Sequence, residues 1–214
     1  ARIYQTKERQ NFHTDSCDVV SLLCLKTSKS GGASALVSSM TIYNEMYDQR
    51  PDLLRLLFDP FATDRRGEIP EGKKPYFEIP VYNYYKRYLS VIYAPRYIES
   101  AQRFEGVPEI SGKRREALDF FDSLANDSKI NMEMNFEPGD IQFVHNHTML
   151  HDRTAFVDWD DEDKKRHLLR LWLAVPEARP LPNVYAERYG NVTVGDRGGI
   201  IVSGSRLNAP LDPI

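Results

Sequence analysis

Short apolar runs dominate the hydropathy pattern of this chain, and helical spacing is confined to three stretches. Val19–Lys26 (VVSLLCLK) is apolar, partly β-branched and brief, which predicts a buried strand. Strand-length segments recur at 76–82, 88–93, 131–136 and 141–144, and residues 1–15 read as one extended segment already in mid-strand at its start. Residues 166–175 alternate, with Arg166, Leu168, Arg170 and Trp172 on one face and His167, Leu169, Leu171 and Leu173 on the other. Helical spacing places Met40, Tyr43 and Met46 or Tyr47 on one side of 38–50 behind a serine cap, and Pro51 opens a second short helix. The third helix, 111–126, carries an apolar stripe of Ala117, Leu118, Phe121 and Leu124/Ala125 beneath a charged face. Between these elements, 28–34 is a turn about Gly31-Gly32, 59–74 is a long polar loop, and the tail after Pro176 looks irregular.

Many short strands, few helices and no βαβ rhythm predict a mostly β fold with flanking helices, a double-stranded β-helix (jelly-roll) barrel. With 214 residues, a single domain over 1–214 is expected. A candidate ligand as early as residue 13 suggests that N-terminal strands precede the sequence, which is read as a fragment of a longer chain. A net charge of −3 with interspersed signs gives no basic stripe for nucleic acid and no polybasic segment for a membrane surface. No apolar run reaches the ~20 residues needed to span a bilayer. Cys17 and Cys24 are the only cysteines, so they are read as small buried side chains in a reducing, cytoplasmic compartment. Homo-oligomerisation is left open by the pattern.

Chemistry gathers at two places. In Asn11-Phe12-His13-Thr14-Asp15, extended backbone sends His13 and Asp15 to the same side. One more imidazole would complete a 2-His-1-carboxylate face, the ligand set of non-haem Fe(II) oxygenases. Asn146-His147-Thr148-Met149-Leu150-His151 offers it. A rival reading takes His145, His147 and His151 as a cluster on one strand, holding Zn²⁺ or another ion without oxygenase chemistry. Arg166 and Arg170 share a strand face, and a guanidinium fork matches a carboxylate. The glycine pair lacks the Lys-Ser/Thr of a phosphate loop.

Four motifs in order resemble the taurine dioxygenase family of Fe(II)/2-oxoglutarate-dependent oxygenases. They are Phe12-His13-Thr14-Asp15; Ser30-Gly31-Gly32-Ala33-Ser34; Pro138-Gly139-Asp140 with Asn146 and Leu150-His151-Asp152-Arg153; and Arg166-His167-Leu168-Leu169-Arg170. The resemblance implies a jelly-roll fold and iron held by His13, Asp15 and His151. It gives Arg166 and the hydroxyl of Ser34, where the family usually has Thr, to the distal carboxylate of 2-oxoglutarate. Arg170 falls at a position that meets an anionic substrate group in some members, with Asn146 and Arg153 as further polar groups on the substrate side. It also implies dioxygen and a small-molecule substrate as reaction partners, with succinate and carbon dioxide as products of the cosubstrate. A metal-binding cupin-like barrel without oxygenase activity is the alternative.

Overall fold

The computed structural model describes residues 6–199, so the expectations for residues 1–5 and 200–214 lie outside the described residues. Two antiparallel sheets frame the molecule. The first takes β1 (Gln10–His13), β4 (Ser34–Ser38), β9 (Asn131–Met134) and β11 (Met149–Arg153), in the order β1-β11-β4-β9. The second takes β2 (Val19–Lys26), β10 (Ile141–His145) and β13 (His167–Leu173), in the order β10-β2-β13. Three two-stranded ribbons complete the β structure: β3 (Ser30–Gly31) with β12 (Phe156–Val157), β5 (Pro60–Asp64) with β6 (Tyr76–Pro80), and β7 (Tyr82–Tyr85) with β8 (Tyr88–Val91).

Strand alternation sorts the side chains of both sheets. From the first sheet, Phe12, Ala35, Val37 and Leu150 enter the main core. There they meet α1 (Ser39–Gln49), α2 (Pro51–Leu56) and α4 (Gly112–Ala125) through Ile42, Met46, Leu53 and Phe121. Each fully buried side chain of this size contributes about 1.5–3 kcal/mol of transfer free energy. The opposite face of that sheet carries Leu36 towards Val20, Val144 and Trp172 of the second sheet, with Cys17 between them. Ile141, Phe143, Leu169 and Leu171, of opposite parity, are exposed.

Most predicted elements are present. Ser38 caps α1 by accepting the Thr41 N–H at 3.3 Å, and the predicted stripe of α4 is buried at all five positions. Within α1, however, Ile42 and Met46 are the buried apolar pair and Tyr47 is exposed. The loop expected over 59–74 is shorter than predicted. Its first residues, Pro-Phe-Ala-Thr-Asp, pair with β6, and the four from Phe61 to Asp64 are all buried, which polarity averaged over the window conceals. The helix α3 (Pro95–Ala101) was not anticipated; its seven residues are too few to show a period. The tail is more ordered than expected, with a 3₁₀ turn at Asn183–Tyr185 leading into α5 (Ala186–Tyr189). The glycine turn is real: Gly31 and Gly32 have φ of +71° and +77°. A Cβ on Gly31 would stand 2.4 Å from the Ala155 carbonyl oxygen, so only glycine fits without displacement.

Candidate metal centre and adjoining cavities

The pairing of β1 with β11 sets His13 directly opposite His151, and their ring centroids are 4.2 Å apart. Asp15 lies two residues past His13, beyond the end of β1. The intervening Thr14 bonds its backbone N–H to the Tyr93 carbonyl at 2.8 Å, so the chain stays extended and delivers the carboxylate beside the imidazoles. Asp15 Oδ1 is 3.9 Å from His13 Nε2, and Oδ2 is 3.8 Å from His151 Nε2. All three residues offer ligand atoms within 4.8 Å of one another, the one such group among the described residues.

These separations exceed a hydrogen bond and leave room for an ion. His13 Nδ1 lies 2.8 Å from the Asn11 carbonyl, which can only accept, so Nδ1 carries the proton and Nε2 presents its lone pair to the site. The Gln10 amide donates to that lone pair at 2.9 Å. His151 Nδ1 is buried with no protein partner. Burial, followed by the neighbouring His13, pushes the His151 imidazole down to about 3, so it is neutral at working pH, as a metal ligand must be. Burial alone would raise the Asp15 carboxyl. The imidazoles of His151 and His13, then Arg170 and the Trp172 indole, outweigh it and hold Asp15 below the usual carboxylate range. Two imidazoles and one carboxylate therefore fit Fe(II) with further positions open.

Two cavities flank this group and share Gln10, His13 and Arg170 in their walls. One, of about 150 Å³, reaches from His13 and His151 to Ser34, Arg153 and Arg166. The other, of about 120 Å³, begins at His13 and Asp15 and is walled by Phe77, Ile79, Ile92 and Trp172. Arg166 precedes β13 and is half-buried, its guanidinium 5.3 Å from the Phe156 ring. Among the described residues no group accepts a hydrogen bond from that guanidinium. Gly32 makes space for it: a Cβ there would be 3.2 Å from Arg166 Nε. Arg170 stands 3.5 Å from Asp15 Oδ2 and 5.1 Å from the Trp172 ring.

Other expectations need correction. Asn146 lines neither cavity; it is wholly buried behind the triad, its Oδ1 accepting the Asp15 N–H at 3.1 Å and its Nδ2 donating to Cys17 Sγ. It thus supports Asp15 from behind. Arg153 lies on the Arg166 side, donating to the Thr6 and Glu8 carbonyls. The three-histidine cluster does not form, because a turn at 146–148 breaks the strand: His145 ends β10, and His147 is hydrogen-bonded to Asp18 at 2.8 Å. His167 is exposed, as its strand face predicts. Arg103 is paired with Asp64 at 2.5 Å.

Three contributors escaped the sequence reading. Trp172 donates its indole N–H to Asp15 Oδ2 at 2.8 Å; its place on the Arg170 face was a usable signal. Gln10, which donates to His13 Nε2, and Arg188, in the wall of the cavity that begins at His13 and Asp15, carried none.

A family model described as "Taurine catabolism dioxygenase TauD, TfdA family" matches residues 1–172. FR-33289 synthase from Streptomyces rubellomurinus (strain ATCC 31215) is 36% identical over 195 residues, covering 88% of this chain and 57% of that protein. The chain spans about half the length of the curated relatives it matches. A solved asparagine oxygenase in complex with Fe(II), 2S,3S-3-hydroxyasparagine and succinate superposes with a TM-score of 0.58 at 18% identity, over 78% of this chain and 50% of that one. The non-heme iron oxygenase OrfP, in complex with Fe and alpha-ketoglutaric acid, gives 0.56 at 17% identity, over 78% and 50%. At these identities the likeness is one of fold.

Proposed function

The chain belongs to the taurine catabolism dioxygenase TauD, TfdA family, and on that premise we propose that it is an Fe(II)/2-oxoglutarate-dependent dioxygenase acting on a small, anionic organic substrate by hydroxylation or oxidative cleavage. One observation carries the reading: His13 and His151 of the His13/Asp15/His151 group line one cavity together with Arg166, and the Arg166 fork has no acceptor among the described residues. A cupin-like barrel that only binds metal has no use for such an arginine. We read the two sheets as the walls of a jelly-roll barrel and the chain as cytoplasmic.

His13 Nε2, an Asp15 oxygen and a His151 ring nitrogen would hold the metal, and Arg166 with the Ser34 hydroxyl would hold the far carboxylate of 2-oxoglutarate. When bound, iron and 2-oxoglutarate couple the decarboxylation of the oxo acid to succinate and carbon dioxide with transfer of one atom of dioxygen to the substrate. The chain's own part is placement. Trp172 and Asn146 fix Asp15 from two sides, while Phe77, Ile79 and Ile92 keep the substrate-side cavity apolar and limit water. Arg170, in the wall of both cavities, sets their electrostatic boundary.

The direct test is anaerobic addition of 2-oxoglutarate to the Fe(II)-loaded protein, which should produce a weak visible charge-transfer band. Arg166→Lys keeps the charge and loses the bidentate fork. It should cost about 1.5–3 kcal/mol, or roughly a ten- to hundredfold rise in the 2-oxoglutarate dissociation constant read from that band. An unchanged constant would remove Arg166 from the cosubstrate site.

A further inference from the structure

A third cavity, of about 300 Å³, is larger than either of the two at the metal group and shares no lining residue with them. It lies where β10 ends at His145 and the chain leaves β13 towards Pro180. Val19 and His145 stand opposite each other in the β2–β10 register, and both line it. Strand alternation turns Val19 to the face opposite Val20 and Leu22, which wall the cavity reaching Arg166. The second sheet therefore stands between those two cavities.

The polar groups of this third cavity are of two kinds. Arg179 supplies donors: Nη1 donates to the Leu89 carbonyl at 2.7 Å and to Ser90 Oγ at 3.4 Å. Nε and Nη2 have no acceptor among the described residues, and Nε is buried. That edge is the fork that matches a carboxylate. His145 supplies an acceptor. Its Nδ1 lies 2.8 Å from Thr148 Oγ1, whose hydroxyl is directed at the His145 carbonyl, so Nδ1 carries the proton. Nε2 then presents a lone pair, with no partner among the described residues. Burial, then His147 and Arg179, hold this imidazole down to about 4, so the lone pair is bare at working pH. Glu177, exposed and without an ion pair among the described residues, is a second acceptor. The other acid of the wall, Asp18, is already closed by His147, Arg197 and the Val175 N–H. Val19, Val175, Ala178 and Pro180 make the rest of the wall apolar, with the Tyr88 ring beside the Arg179 guanidinium at 5.2 Å.

We propose that this cavity is a second ligand site, separate from the metal centre, and that it binds a small apolar α-amino acid. The Arg179 fork takes the carboxylate, His145 Nε2 and the Glu177 carboxylate take the ammonium, and the apolar wall takes a short aliphatic side chain. One cation against one free anion, with a fork of donors beside two acceptors, is the complement of a zwitterion. A simple oxyanion would meet Glu177 and the Nε2 lone pair, and a simple amine would leave Arg179 unpaired. Asn146, the brace behind Asp15, follows His145 directly in the chain, so the site adjoins the support of the metal group without entering it.

The test titrates L-valine calorimetrically into the full chain, with Fe(II) and 2-oxoglutarate present under anaerobic conditions so that the metal group is occupied. Its two halves, 3-methylbutanoate without the ammonium and isobutylamine without the carboxylate, are titrated in parallel. L-valine should bind at one equivalent per chain, each half should bind at least about tenfold more weakly, and Arg179→Gln should weaken L-valine by about tenfold. No binding of L-valine, a half that binds as tightly as the whole, or wild-type affinity in Arg179→Gln would each overturn the site. Should Arg179→Gln fail to fold, the exposed Glu177→Gln decides. It should weaken L-valine by about two- to fivefold and leave 3-methylbutanoate no weaker. An unchanged L-valine affinity in that variant defeats the proposal.

Discussion

Asp15 and Asp18 stand three residues apart, are both buried, and both have histidine beside them, yet they build opposite kinds of site. Around Asp15 the imidazoles stop at 3.8 and 3.9 Å. Around Asp18 everything closes: His147 Nε2 at 2.8 Å, Arg197 Nη2 at 2.8 Å, and the Val175 N–H at 3.1 Å. Asp18 is therefore a hydrogen-bonded junction tying the tail to the second sheet, and a cation would find no free donor atom there. Proximity of carboxylate and imidazole does not make a metal centre. What distinguishes one is a set of donor atoms held apart by the fold, each with its other polar atoms already committed or shielded.

The widest separation between the two clusters should appear on exchanging each carboxylate for its amide. Asp15→Asn keeps the shape and removes the charge of a proposed ligand. Iron affinity should fall by more than the ten- to hundredfold typical of losing a supporting group, with near loss of coupled turnover. Equilibrium dialysis with Fe(II) measures it, and wild-type affinity would mean that Asp15 is not a ligand. Asp18→Asn should do the reverse. It leaves the buried Arg197 charge uncompensated, at a cost of about 3–5 kcal/mol in unfolding free energy, while the folded fraction binds one iron per chain as before. A chemical denaturation curve matching wild type would show that the closed cluster is dispensable.

The third contrast is in acid stability. Burial pushes the His145 imidazole down to about 4, and burial also lowers His147 despite its bond to Asp18. Their folded values lie below the unfolded one, so this stability is present above about pH 6.5 and lost as the pH falls. The unfolded chain takes up protons that the fold refuses, at up to about 1.4 kcal/mol per pH unit for each histidine. Asp18, held low by His147 and Arg197 against the raising effect of burial, adds a further loss below its unfolded value of 3.8. The melting temperature of the metal-free protein should be flat above pH 7 and fall between 6.5 and 4, with a shallower fall in His145→Gln. A flat profile to pH 4 would contradict the neutral buried histidines.

Much of this was legible in the residues themselves. The period-2 alternation of 166–175 put Arg166, Arg170 and Trp172 on one face, and the stripe of α4 was buried as its spacing required. His13 and Asp15 were a local pair, because two residues of extended backbone send both side chains the same way. Strand periodicity and glycine stereochemistry act over a few residues, so they can be read from the chain without knowing what it packs against. Long-range pairing decided the rest. Only the β1–β11 register sets His13 against His151 rather than against His145 or His147, and only the turn at 146–148 assigns those two to other work. Asn146 looked like a binding residue and became the brace behind Asp15, because its neighbours consumed its polar atoms. Arg188 lies 173 positions from Asp15 in the chain, and no local rule connects them. The tail reaches the site because Tyr185 and Tyr189 bury themselves against β6, an energetic choice made between surfaces that the sequence does not show side by side.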